Sequence, residues 1–288
     1  MQPGTVPRIP QRLGFEHRHR RTVACLLLGG QAQAATTAMA FEIAASHSAR
    51  LMAIAAVDPF AAVPSSTFSR SLWSLMDDVD FKDMRASARS AVQQFEPQGR
   101  EGLLMVSRVI GGPDIRELTA KAAEADLVLV PANVAIDGSW AAIQSEVAEF
   151  LARRSHAPIL RISRRPLDVR KIILIISNTR RCSQLAHRYL EAGLWPEASI
   201  SMLPIGEDRP RVLENVKKQL DLLQTSGRDT ALLPSIDLDF EAADLQQVLS
   251  PFQAAIMGYF NHSAGWFDAV RWDPFEVATS CVPVALLP

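Results

Sequence analysis

The most polar stretch beside an apolar run is G-Y-F-N-H-S-A-G, residues 258–265, which follows A-A-I-M. Gly258 and Gly265 bracket Asn261, His262 and Ser263. Glycines at a strand end let backbone N–H groups approach a phosphate, and the three polar side chains could contact a small anion or nucleotide fragment. The same residues also read as an ordinary turn. They do not read as a hydrolase site: Asn261 stands where a nucleophile elbow needs its first glycine, and a neighbouring His and Ser do not make a triad. A second candidate is Gly29-Gly30, which ends the run T-V-A-C-L-L-L. Two glycines there could cradle a phosphate or make a tight turn, but neither nucleotide fingerprint is complete.

Other reactive types are dispersed. Cys25, Cys182 and Cys281 are too far apart for a metal set, and their odd count is not a disulfide framework. Cys182 follows Arg180 and Arg181 at a helix start, surroundings that can activate a thiol. The six histidines form no H-x-x-x-H pair. The acidic run Asp237, Asp239, Glu241, Asp244 reads as a helix start favoured by the helix dipole, with cation binding as the alternative. No catalytic set and no metal site is expected.

The elements that must position these residues follow a repeating programme. Residues 1–21 read as a disordered arm ending in H-R-H-R-R. Strand-length apolar runs then start at residues 22, 50, 103, 126 and 157, with helix-like stretches between them. Continuous rather than alternating apolar runs indicate strands buried on both faces, as in a parallel sheet covered by helices. S-R-R-P-L-D-V-R, residues 163–170, is a charged linker with a proline. The programme restarts at residue 171 with K-I-I-L-I-I and closes with V-P-V-A-L-L, residues 282–287. On one helical stretch, residues 209–224, Val212, Val216, Leu220 and Leu223 form the expected apolar stripe. A-P-I-L-R-I near the end of the first half matches V-P-V-A-L-L in the second, a repeat long enough to suggest duplication rather than a solenoid. The expected units are therefore residues 22–163, a linker at 164–170, and residues 171–288.

Composition fits two such units. The chain has 288 residues, 48% hydrophobic and 21% charged, so each half can build a core. Thirty basic residues against 31 acidic ones give a net charge of -1, which excludes a globally basic nucleic-acid binder. Aromatics at 7% argue against a stacking platform for single strands. No apolar run approaches the ~18 residues of a membrane span. Nothing at the start reads as a secretory signal, so a cytoplasmic protein with reduced thiols is expected, with no membrane or nucleic-acid partner.

These stretches resemble the universal stress protein family in its tandem two-domain form. The resemblance lies in A-E-A-D-L-V-L-V-P, then a loop, then S-E-V-A-E-F-L-A-R-R-S-H-A-P-I-L-R-I, with G-G-P-D-I-R-E-L before them. It spans nearly the whole chain and is weaker in the second half. It implies an α/β fold of two tandem open five-stranded parallel sheets in order 3-2-1-4-5, with helices on both faces. It also implies that residues 159–162 pair with residues 284–287 within one chain. Ligands of such sheets sit beyond the carboxyl ends of the strands, at the switch point between strands one and four.

The ATP-binding members of that family carry an Asp at the end of strand one. After strand four they carry Gly, two residues, Gly, nine residues, Gly, then Ser or Thr. This chain departs from both features. In the first half Gly29-Gly30 follows strand one with no Asp, Pro131 stands at the first motif glycine, and Val134 at the second. In the second half Ser177-Asn178 replaces the strand-one Asp, Gly258 keeps the first glycine, and Asn261 replaces the second. The resemblance therefore implies a non-enzymatic stress-response regulatory or scaffold protein that has lost its nucleotide sites and holds no cofactor. It would act through a protein partner or as a homo-oligomer. The alternative is an ATP-binding switch.

Overall fold

In the computed structural model, the structure describes residues 21–28, 32–56, 86, 89–90, 92–93, 95, 105–110, 115–132, 148, 151–152, 155–163, 169–177, 182–206, 209–236, 242–258 and 284–287. The first half supplies β1 (Thr22–Leu27), α1 (Gln33–Ser46), β2 (Arg50–Ala56), β3 (Met105–Ile110), α2 (Ile115–Ala123), β4 (Leu127–Pro131) and β5 (Ile159–Ile162). The second supplies β6 (Lys171–Ile176), a 3-10 turn over Cys182–Gln184, α3 (Leu185–Ala192), β7 (Ser199–Pro204), α4 (Arg209–Thr225), β8 (Thr230–Leu232), α5 (Ala242–Leu249), β9 (Ala254–Gly258) and β10 (Val284–Leu287).

The architecture is α/β with a mostly parallel central sheet. Its ten strands run β3-β2-β1-β4-β5-β10-β9-β6-β7-β8. The expectation of two separate five-stranded sheets is therefore corrected to one continuous sheet. The reason is edge chemistry: β5 and β10 would otherwise end each sheet with unpaired backbone groups. They pair antiparallel instead, with Val284 opposite Arg161, Ala285 opposite Leu160 and Leu286 opposite Ile159. Every other strand pair is parallel. The antiparallel seam inverts the second half, so its strands point opposite to those of the first.

The apolar runs explain the layers. Successive strand residues face opposite sides, and all six residues of β1, all five of β4 and all five of β9 are buried, so helices or loops cover both faces there. The buried side chains form one cluster through both halves. In the first half Phe41 of α1 stacks on Phe95, with ring centroids 5.0 Å apart. In the second, the buried positions of α4 are Val212, Val216, Gln219 and Leu223. The fourth-residue spacing from the apolar pattern placed Leu220 on this stripe. Leu220 packs against the core from a half-buried position, and Gln219 beside it is a further interior residue.

The expected helix over residues 31–47 is α1, and the one expected from Cys182 opens as a 3-10 turn before α3. The arm at 1–20, most of the stretch at 65–95 and the stretch at 267–280 lie outside the described residues. No helix among the described residues is long and apolar enough to cross a membrane.

Cys25 sits in the middle of β1 and is fully buried. Burial pushes its thiol from 9.0 up to about 12, against a smaller lowering by a hydrogen bond from Thr37. The folded state therefore holds this proton more tightly than the unfolded chain. The resulting stability is complete below pH 9.0 and is lost as pH rises toward about 12. Alkylation at mildly alkaline pH followed by mass spectrometry is expected to leave Cys25 unlabelled in the native protein and to label it in denaturant. Labelling at the same rate in both states would contradict its place in the core.

Candidate functional site

Two switch points exist, one between β1 and β4 and one between β6 and β9. At the first, the described backbone donors Leu28 N–H and Ala132 N–H are already used. Leu28 N–H, just past β1, donates to Gln33 Oε1 at 2.9 Å. Gln33 Nε2 in turn donates to Leu26 O at 3.3 Å and Thr37 Oγ1 at 3.2 Å. Gln33 is the first residue of α1, so the helix start closes back onto the strand end. At the neighbouring strand end, Pro131 has no N–H to offer. The next donor, Ala132 N–H, is bound to Ile162 O at 2.6 Å. Gly29 and Gly30 lie outside the described residues.

The second switch point is built differently. Ser177 follows β6 and is 2% exposed. Its hydroxyl donates to Cys182 Sγ at 3.4 Å. Gly258 is the last residue of β9, inside the sheet and in register with Leu287, rather than the first residue of a loop. β6 and β9 run in parallel register with Met257 beside Ile175, so Ser177 and Gly258 share one edge. Asn178, Asn261, His262, Ser263 and Gly265 lie outside the described residues.

Cys182 is also fully buried, with its sulfur against Ser177, so no reagent in solvent reaches it. Arg180 and Arg181, on which the expectation of an activated thiol rested, lie outside the described residues. Its carbonyl receives Gln219 Nε2 at 2.7 Å, while Gln219 Oε1 accepts Ala186 N–H at 2.9 Å. A third bond runs from Gln219 Nε2 to Asn215 Oδ1 at 3.0 Å. One buried carboxamide thus satisfies both the carbonyl of the 3-10 turn and an orphan donor at the start of α3.

Sequence reasoning missed both Gln33 and Gln219. The signal for Gln219 was its place four residues before Leu223 and three after Val216, an apolar-stripe position held by an amide. The signal for Gln33 was weaker: a long polar side chain in the first turn after a glycine pair. Among the described residues no group of three His, Cys, Asp or Glu side chains converges to hold a metal ion.

No family model matches the sequence, and no curated protein matches it. Solved structures do. A universal stress protein from Archaeoglobus fulgidus DSM 4304 superposes with a TM-score of 0.65 at 10% identity, over 92% of this chain and 95% of that one. The fold is that of a universal stress protein. A putative universal stress protein from Pseudomonas aeruginosa UCBPP-PA14 matches with a TM-score of 0.53 at 13% identity, over 93% of each chain. A functionally unknown protein from Pseudomonas aeruginosa PAO1 matches with the same TM-score and identity, over 93% of this chain and 92% of that one. The coverage matters more than the identity. Each match spans at least 92% of this chain, so the likeness covers both halves.

Proposed function

We propose that this chain is a non-enzymatic, cytoplasmic stress-response regulatory or scaffold protein of the universal stress type, whose nucleotide sites are lost. It works by presenting a rigid double unit to a protein partner or to a second copy of itself. The observation that carries the reading is the closed edge between β1 and β4. Leu28 and Ala132 have their N–H groups engaged, and Pro131 has none. A nucleotide there would have to break the Gln33 bridge and would find a proline where the phosphate cradle begins.

A second reading, an ATP-binding switch, is favoured by one observation in the other half. Gly258 and the small Ser177 stand at the β6–β9 edge, where backbone could approach a phosphate. Thermal unfolding in millimolar MgATP separates the two readings. Ligand at about 1,000 times its dissociation constant adds about 4.1 kcal/mol to stability, a rise of several degrees in Tm. The scaffold reading predicts an unmoved Tm, and a clear rise favours the switch.

A further inference from the structure

A cavity of about 740 Å³ lies where the two halves meet, at the edge opposite the carboxyl ends of the first half's strands. Its size is that of a small-molecule site, typically about 300–1,000 Å³. One wall is the entry side of the first half: Arg21 precedes β1, Asp126 precedes β4, and His156 precedes β5. The other wall is a face of α3 carrying His187, Arg188 and Glu191, with Gln184 just before the helix. Between them lies an apolar surface that includes Val23, Ile43, Leu127 and Leu194. An ordinary crevice between packed units closes on apolar side chains. This one keeps a polar helix face and a polar strand edge apart.

Arg21 joins the two walls of the cavity. Arg21 reaches across and donates to Glu191 O at 3.2 Å and Ala192 O at 3.4 Å, the last carbonyls of α3. Gly193 ends α3 in the left-handed region with φ 64, and a Cβ there would lie 3.3 Å from Arg21 Nη1 and 3.5 Å from His47 Cε1. The glycine therefore serves both the helix end and the close approach of the first half.

The charges that remain set the ligand class. Asp126 is engaged, accepting Thr22 N–H at 2.7 Å. Glu191 is engaged as well, 3.3 Å from His187 Nε2. Arg21 is committed to the carbonyls of α3. Partial burial, and secondarily Arg21, hold the His47 imidazole below its ordinary range, which favours its neutral form. Arg188, half-buried on one wall, and His156, exposed on the other, have no hydrogen-bond or ion-pair partner among the described residues. Both are side chains of the lining left free to hydrogen-bond an anion.

We propose that this cavity binds a small organic anion, a carboxylate or phosphate ester with a short apolar body, held at its charged end by Arg188 and His156. The apolar body lies on Val23, Ile43, Leu127 and Leu194. The ligand bridges the halves in a cavity whose lining includes none of Leu28, Gln33, Pro131, Ser177 and Gly258, so the inference does not rest on whether either switch point binds a nucleotide.

Isothermal titration of the full chain with hexanoate, hexyl phosphate and hexan-1-ol tests it. Saturable binding of at least one of the two anions is expected, with none for the alcohol. The preferred anion separates the two ligand sources. A hydrogen-bonded charge lost on one side weakens binding about tenfold or more, so Arg188→Gln is expected to bind at least tenfold less tightly. His156→Gln, at an exposed position, is expected to weaken binding in the same direction and stands in if Arg188→Gln lowers the unfolding midpoint. No saturable binding of either anion, equal binding of the alcohol, or unchanged affinity in a folded Arg188→Gln or His156→Gln variant would overturn the proposal.

Discussion

Ala285→Lys is expected to destabilise the protein by about 4 kcal/mol or more, enough to bring a domain of ordinary stability close to unfolding. Ala285 is the centre of the seam. It is 0% exposed, opposite Leu160 of β5 on one side and beside Ile256 of β9 on the other. A lysine there adds three carbons beyond Cβ to a packed layer, at about 1–3 kcal/mol. It also buries an ammonium with no partner, at a cost of several kcal/mol more. The position matters beyond its own packing because β5–β10 is the step at which the sheet passes from one half to the other. Urea unfolding checks the prediction. A large drop in midpoint is expected for Ala285→Lys and a small one for Ala285→Ser. A lysine variant with the parent midpoint would mean that the halves do not share this seam.

The second large effect is expected at Gln219. Leucine there would complete an apolar stripe on α4, and patterning alone would predict a more stable helix. The opposite is expected. Gln219 is 3% exposed and holds Ala186 N–H and Cys182 O at once. Leucine strands both groups in the interior, at about 1–3 kcal/mol each, so a loss of roughly 2–6 kcal/mol follows. Gln219→Glu is a useful second variant. Its carboxylate can still accept from Ala186 but cannot donate to Cys182, and it is buried, so it is also expected to destabilise. A leucine variant as stable as the parent would show that water satisfies these groups and that the amide is dispensable.

Gln219 also marks the boundary of what the chain reveals as text. The strands of both halves were legible because their apolar runs are short, continuous and punctuated by Gly, Pro and Asp, as at Leu28-Gly29 and Asp58-Pro59. The described helices were legible to within a few residues, although the start at Cys182 is a 3-10 turn that periodicity does not distinguish. The join of the two sheets was not legible from composition or period. Ile159–Ile162 and Val284–Leu287 read alike as buried strands, and nothing in either says which edge it meets. Only the resemblance to a known family suggested that pairing. At the candidate site, the departures at Pro131 and Ser177 were visible as residue types. The bridge by Gln33 was not, because it depends on where a flexible side chain folds back. The cavity between the halves was likewise hidden. Arg188 and His156 are 32 positions apart on separate units, and only the antiparallel seam brings their walls together.

Under the proposed reading, the fold is kept while its nucleotide chemistry goes. The core of each half depends on apolar side chains in β1, β4, β6 and β9. The phosphate cradle depends on backbone donors just beyond those strands. Filling the donors with Gln33 in one half leaves the sheet intact. In the other half, the buried Ser177–Cys182 pair and Gln219 shape the strand end.

The most direct test of this account is equilibrium dialysis of the full chain against labelled ATP with magnesium, at protein concentrations in the tens of micromolar range. The account predicts equal label on both sides of the membrane at every nucleotide concentration. Saturable binding with a micromolar dissociation constant, at one or two sites per chain, would contradict it.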